Sequence, residues 1–128
     1  MVYNVLIVDD SPGMRKVIKK MLGVSGFAMG QCLEAGDGLE ALTVLQNEPG
    51  VHIVLTDINM PNMNGEELME QISVDPNRKH LAVLVVSTDR SDERMKRMFA
   101  LGAKGYVTKP FVPRTLGYAL TKLTGDIL

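Results

Sequence analysis

The 128-residue sequence has no tryptophan, one cysteine, and only three tyrosines and three phenylalanines. A lone Cys32 cannot close an internal disulfide, so the fold must rest on its core, and the chain fits a reducing compartment. Neither sign of charge is in excess. Fourteen basic residues against fifteen acidic ones leave a net charge of −1, which removes a broad electrostatic drive toward nucleic acid or an anionic membrane. Long hydrophobic runs are also missing. The N-terminal run Val5-Leu6-Ile7-Val8 stops at two aspartates, too short for a secretory segment, and nothing approaches a membrane span. With 45% hydrophobic and 23% charged residues, the chain has the composition and length of one globular domain. A single cytoplasmic domain over residues 1–128 is expected.

Short apolar runs rich in β-branched residues recur at 5–8, 53–55 and 83–86. They are continuous rather than alternating, the pattern of strands buried on both faces of a parallel sheet. Residues 31–35 and 105–108 are weaker strand candidates. Helical patterns lie between the runs. Met14, Val17, Ile18, Met21 and Leu22 share a face behind Ser11-Pro12, an N-cap followed by proline at the first helical position. Leu42 and Leu45 follow an Asp37 cap, and Leu68 and Ile72 follow Asn64. Met95, Met98 and Phe99 follow a Ser91 cap with Asp92 and Glu93 in its first turn. Leu116, Leu120 and Leu123 face inward on a last helix opening at Pro113. Five strand–helix alternations predict an α/β fold, a doubly wound (βα)5 parallel sheet with right-handed crossovers. In such open sheets ligands bind beyond the carboxyl ends of the strands.

Those ends carry the polar chemistry. The first strand runs into Asp9-Asp10, the third into Asp57, the fourth into Ser87-Thr88 and the fifth into Thr108-Lys109. Two unit charges about 4 Å apart repel by about 4 kcal/mol at an effective dielectric near 20. Three carboxylates on one edge therefore call for a cation. Oxygen ligands in this number suit a hard ion that retains water and also coordinates phosphate, as Mg²⁺ does. Lys109 can pair with one carboxylate at rest and with a phosphoryl oxygen later, and Ser87 can donate to another oxygen. An aspartate in this setting is a nucleophile of the acyl-phosphate type.

Taken together, Val5-Leu6-Ile7-Val8-Asp9-Asp10-Ser11, Asp57-Ile58-Asn59-Met60-Pro61 with Gly65, Val86-Ser87-Thr88 and Lys109-Pro110 resemble the receiver domain of two-component response regulators. The likeness spans the whole chain and is greatest for stand-alone chemotaxis regulators of the CheY type. It implies a flavodoxin-like sheet of order 2-1-3-4-5 and a cis Lys109–Pro110 peptide. It also implies phosphorylation of Asp57 by a partner histidine kinase. Asp10, Asp57 and the Asn59 backbone carbonyl would hold Mg²⁺, with Asp9 acting mainly through water. Ser87 takes the switch hydroxyl position and Tyr106 that of the aromatic that changes rotamer. The surface of the fourth helix, fifth strand and fifth helix would then bind a target, in chemotaxis or another phosphorelay. The implied protein is a phosphoacceptor switch that assists its own phosphorylation and dephosphorylation rather than a turnover enzyme. A phosphatase is a further implied partner.

Asn59, Thr88 and Asp89 flank the site entrance in that resemblance. Thr88 replaces a residue that is usually small; its side chain either narrows access to the phosphoryl group or faces outward. His52 and His80 read as surface histidines, and Glu66, Glu67 and Glu70 as a solvated face. Gly36-Asp37-Gly38 is explained by a strand-to-helix turn with an Asp cap. Met60 and Met63 read as an apolar rim beside the site, and Tyr118 as an exposed aromatic on the output surface. Gly117, inside a helix, has no explanation from sequence. Two alternatives stand beside the switch. One is a receiver detached from a larger regulator, disfavoured because no output segment follows Leu128. The other is an aspartyl-phosphate phosphatase of the haloacid dehalogenase type, which requires a second aspartate where Asn59 stands.

Overall fold

The apolar runs become the strands of one parallel sheet in a computed structural model that describes residues 2–125. Leu128, cited above as the chain end, lies outside the described residues. The strands are β1 (Tyr3–Val8), β2 (Met29–Ala35), β3 (Ile53–Thr56), β4 (Ala82–Ser87) and β5 (Gly105–Thr108). The helices are α1 (Pro12–Val24), α2 (Gly38–Asn47), α3 (Gly65–Val74), α4 (Asp92–Ala100) and α5 (Pro113–Thr124), with a 3₁₀ turn at Pro76–Arg78. The strand order is β2-β1-β3-β4-β5 and all four pairings are parallel. Lys109–Pro110 is cis.

Successive strand residues point to opposite faces, so each central strand feeds two cores. Leu6, Val8, Val54, Val83 and Val85 meet Ala41, Leu45, Leu68, Ile72 and Met98 of α2, α3 and α4. Val5, Ile7, Ile53, Leu55, Leu84 and Val86 meet Ile18 and Leu22 of α1 and Leu116 and Leu120 of α5. Each fully buried Leu or Ile contributes roughly 1.5–3 kcal/mol over its exposed state. Ser11, Asp37, Asn64 and Ser91 cap their helices through side-chain oxygens, Asn64 with Glu67 as a full capping box. Pro113 opens α5.

Several expectations shift. β1 starts at Tyr3 and β2 at Met29, both earlier than their apolar runs, because backbone pairing carries the strands through polar residues. Val17 is 43% exposed and Phe99 47% exposed. Their helices bury a narrower stripe, centred on Ile18 and Leu22 in α1 and on Met98 in α4. His52 is half-buried rather than a free surface histidine. It precedes β3, accepts the Asn4 N–H at Nδ1 (2.9 Å) and meets the Tyr3 ring edge-on. His80 is exposed. Glu66, Glu67 and Glu70 do not form a free solvated face. Glu66 bonds Arg94 (2.8 Å) and approaches Arg97, Glu70 approaches Arg97 (3.3 Å), and Glu67 serves the α3 cap. Gly117 is buried on α5, and Tyr118 is 66% exposed.

Candidate functional site

The sheet ladder runs one residue past three strands. Asp9 N–H donates to Ala35 O, Asp57 N–H to Val8 O, and Lys109 N–H to Ser87 O. Asp9, Asp57 and Lys109 are therefore the first residues beyond β1, β3 and β5, aimed into one crevice. The Lys109 ammonium donates to both Asp9 Oδ2 (2.8 Å) and Asp57 Oδ2 (2.9 Å). It bridges two carboxylates rather than the single one expected. Asp9 Oδ1 accepts the Ser11 N–H and Asp57 Oδ1 the Ile58 N–H.

Asp10 completes the set: one carboxylate oxygen from each of Asp9, Asp10 and Asp57 lies within 4.8 Å of the others. At that separation a carboxylate pair repels by about 3.5 kcal/mol at an effective dielectric near 20. One ammonium against three carboxylates leaves negative charge in excess. Asp9 is buried, Asp57 half-buried and Asp10 exposed, so the cluster opens to solvent on the Asp10 side. The donor set is all oxygen, clustered and anionic, which fits a divalent hard cation. Burial pushes the Lys109 ammonium toward a lower pKa, but its hydrogen bonds to Asp9 and Asp57 and their charge outweigh this and leave it above the ordinary lysine value.

Ser87 is fully buried at the end of β4 and does not reach Asp57; its Oγ accepts the Asp89 N–H (3.2 Å). The Tyr106 hydroxyl donates to the backbone carbonyl of that same Asp89. Asp89 thus links Ser87 to Tyr106. Burial, then the Asp89 charge, raises the Tyr106 phenol above its usual pKa. Asn59 and Thr88 are exposed at the rim.

A family model described as the response regulator receiver domain matches residues 5–121. The chain belongs to this family.

Among its relatives, this receiver is 40% identical over 120 residues to chemotaxis protein CheY-3 of Vibrio cholerae, covering 94% of this chain and 90% of that one. The solved structure of Vibrio cholerae CheY4 superposes with a TM-score of 0.84 at 32% identity, covering 96% and 99% of the two chains. A CheX–CheY–BeF3–Mg²⁺ complex from Borrelia burgdorferi gives a TM-score of 0.84 at 28% identity, covering 95% and 89%. No described helix is long and apolar enough to cross a membrane.

Three features of the receiver's rim escaped the sequence. Arg90 reaches across from the loop before α4 to the Lys109 carbonyl (3.3 Å). Arg94 of α4 ties Asp89 (3.4 Å) to Glu66 of α3. The third is a contact behind the acceptor loop, where Asn62 Nδ2 donates to Asp37 Oδ2 (2.8 Å) and Gly38 N–H to Met63 O (2.9 Å). Arg90, Arg94 and Asn62 carry no signal of their own, and the reading of Asp37 as a cap is complete without Asn62. The pairs Arg90–Lys109, Arg94–Glu66 and Asn62–Asp37 lie 19, 28 and 25 residues apart, beyond any helical or strand spacing. Met60 and Met63 are half-buried and pack on the core below the loop instead of forming a free rim.

Proposed function

We propose that this chain is a phosphorylation-activated signalling switch, one receiver domain over residues 1–128, in which Asp57 is the phosphoacceptor. The observation that carries this is the Lys109 ammonium held on Asp9 and Asp57 at once, with Asp10 alongside. Asp10, Asp57 and the Asn59 backbone carbonyl would hold Mg²⁺. Asp9, with one oxygen on Ser11 and the other on Lys109, would reach the ion through water. Bound there, Mg²⁺ supplies neutralisation of phosphoryl oxygens. The Borrelia relative, solved with BeF3 and Mg²⁺, supports the choice of ion.

The donor is the phosphohistidine of a sensor histidine kinase. A carboxylate oxygen of Asp57 attacks phosphorus, the new P–O bond forms as the P–N bond breaks, and the leaving imidazole takes a proton from solvent. Lys109 turns from the carboxylate to a phosphoryl oxygen, and Ser87 donates its hydroxyl to another. When Ser87 turns, the Asp89 N–H loses its acceptor, so the loop that holds the Tyr106 hydroxyl moves with it. Asn59, Thr88 and Asp89 at the entrance govern attack by water or by a partner phosphatase. The output is the α4–β5–α5 face, where exposed Phe99 and Tyr118 flank a groove containing Tyr106 and Lys122 and would bind a target protein. Similarity to chemotaxis proteins favours a cytoplasmic role in motility control. The dehalogenase-type phosphatase reading has no support, because the acceptor follows β3 and Asn59 stands two residues later.

Intact-mass analysis after incubation with Mg²⁺ and acetyl phosphate tests the acceptor. The expected result is a hydroxylamine-labile phosphoryl adduct on the wild type and none on Asp57→Asn. An equal adduct on both proteins would sink the assignment. Tyr106→Ala should weaken target binding while leaving adduct formation nearly intact.

A further inference from the structure

The loop between β3 and α3 carries Asp57 and Asn59 but has little structure of its own. It doubles back sharply: the Gly65 N–H donates to Ile58 O (2.8 Å), and a Cβ on Gly65 would collide with the Asp57 carbonyl oxygen. At its far side Asn62 sits in the left-handed region, with φ 64°, a conformation that asparagine tolerates better than most residues. That conformation turns the Asn62 amide onto Asp37, the residue before α2.

Asp37 is 5% exposed and uses its two oxygens separately. Oδ1 caps α2 through the Glu40 N–H (2.8 Å), and Oδ2 accepts from Asn62 Nδ2. It makes no ion pair among the described residues. A buried carboxylate with only neutral donors depends on each of them. Beside this bond the Gly38 N–H donates to Met63 O, and Gly38 has no room for a Cβ against Met63. The acceptor loop is thus fastened to the rigid start of α2 at two adjacent points.

We propose that Asp37 and Asn62 are positioning residues: their bond holds the 57–64 loop from behind, setting the Asp57 carboxylate and the Asn59 carbonyl in register for a divalent cation. The inference rests on the proposed Mg²⁺ and acceptor roles above. Neither residue touches the cation; both act through the loop backbone, as the partners behind metal ligands do.

Asn62→Gly is the informative variant, because glycine accepts φ 64° freely and only the amide is lost. Mg²⁺ titration followed by NMR of the loop amides should show binding weakened about tenfold, the lower end of the loss caused by removing a partner behind a metal ligand. The melting temperature should fall by no more than the loss of one hydrogen bond to Asp37, and the protein should stay folded through the titration. Asp37→Ala should weaken Mg²⁺ similarly, since it removes the acceptor of the Asn62 amide. The exchanged pair, Asp37→Asn with Asn62→Asp, restores one donor and one acceptor and should recover most of the affinity. Unchanged Mg²⁺ affinity in Asn62→Gly, or no recovery in the exchanged pair while it melts like wild type, overturns the proposal. Absence of Mg²⁺ binding in the wild type would instead overturn the underlying function.

Discussion

Both ends of the parallel strands carry a polar cluster, and the two are built on opposite terms. At the amino end, Asn4 donates its backbone N–H to His52 Nδ1 and its amide to Gly50 O (3.0 Å), and accepts the Gln31 N–H (2.8 Å). The His52 N–H returns to Asn4 O. These bonds run between backbone groups, a side-chain amide and a ring nitrogen, with no carboxylate or ammonium among them. At the carboxyl end one ammonium bonds two carboxylates while a third, that of Asp10, stands within 4.8 Å of them. The same fold geometry thus yields a joint that only holds and a joint held short of neutrality. What separates them is residual charge, not the number of hydrogen bonds.

The largest expected effect that sharpens this contrast is on Lys109. Lys109→Met leaves Asp9 and Asp57 without their cation, and truncating one partner of such a pair costs about 3 kcal/mol. Urea unfolding should show that loss without Mg²⁺, and saturating Mg²⁺ should return most of it. A loss that Mg²⁺ does not narrow would mean that residual charge is not what distinguishes this end. Next comes Asn4→Ala, which removes two solvent-exposed hydrogen bonds and should cost about 1 kcal/mol. Its cost should be the same with and without Mg²⁺ in the same measurement, and any Mg²⁺ dependence would break the comparison.

Asp37 gives the smallest effect and an intermediate case, an anion met by neutral donors alone. The Asn62 hydrogen bond first, then that of the Glu40 N–H, holds its carboxyl below the usual range against burial. A folded pKa below the unfolded one adds stability that is present above the unfolded value, about 4, and lost as pH falls through the folded value. The melting-temperature gap between wild type and Asp37→Asn should therefore be full at neutral pH and close in acid. A gap that persists at the lowest pH would assign the effect to packing.

Much of this was legible in sequence, for definite reasons. Runs such as Val83-Leu84-Val85-Val86 are continuous only because both sheet faces are covered, so they announce a doubly wound fold. A parallel sheet then forces Asp9, Asp57 and Lys109 to one edge, however far apart they lie in the chain. What local pattern could not carry was the choice of partner. Val17 neighbours the buried Ile18 yet falls outside a stripe whose width is set by the sheet below. Glu66 and Glu70 look like a solvated face until Arg94 and Arg97 arrive from the next helix. Asn62 looks like any loop asparagine until its backbone conformation turns it onto Asp37.

The two outer strands have a consequence for behaviour at high concentration. An open sheet offers an unpaired backbone row on β2 and another on β5, each a template on which a second chain can add a strand. On β2 the register with β1 slips between Tyr3 and Val5, and Gly30, Gln31 and Glu34 stand exposed, so the outer row is irregular and polar. On β5 the strand is four residues long, too brief to nucleate a stack. Crowding alone should not drive these molecules edge to edge into fibres.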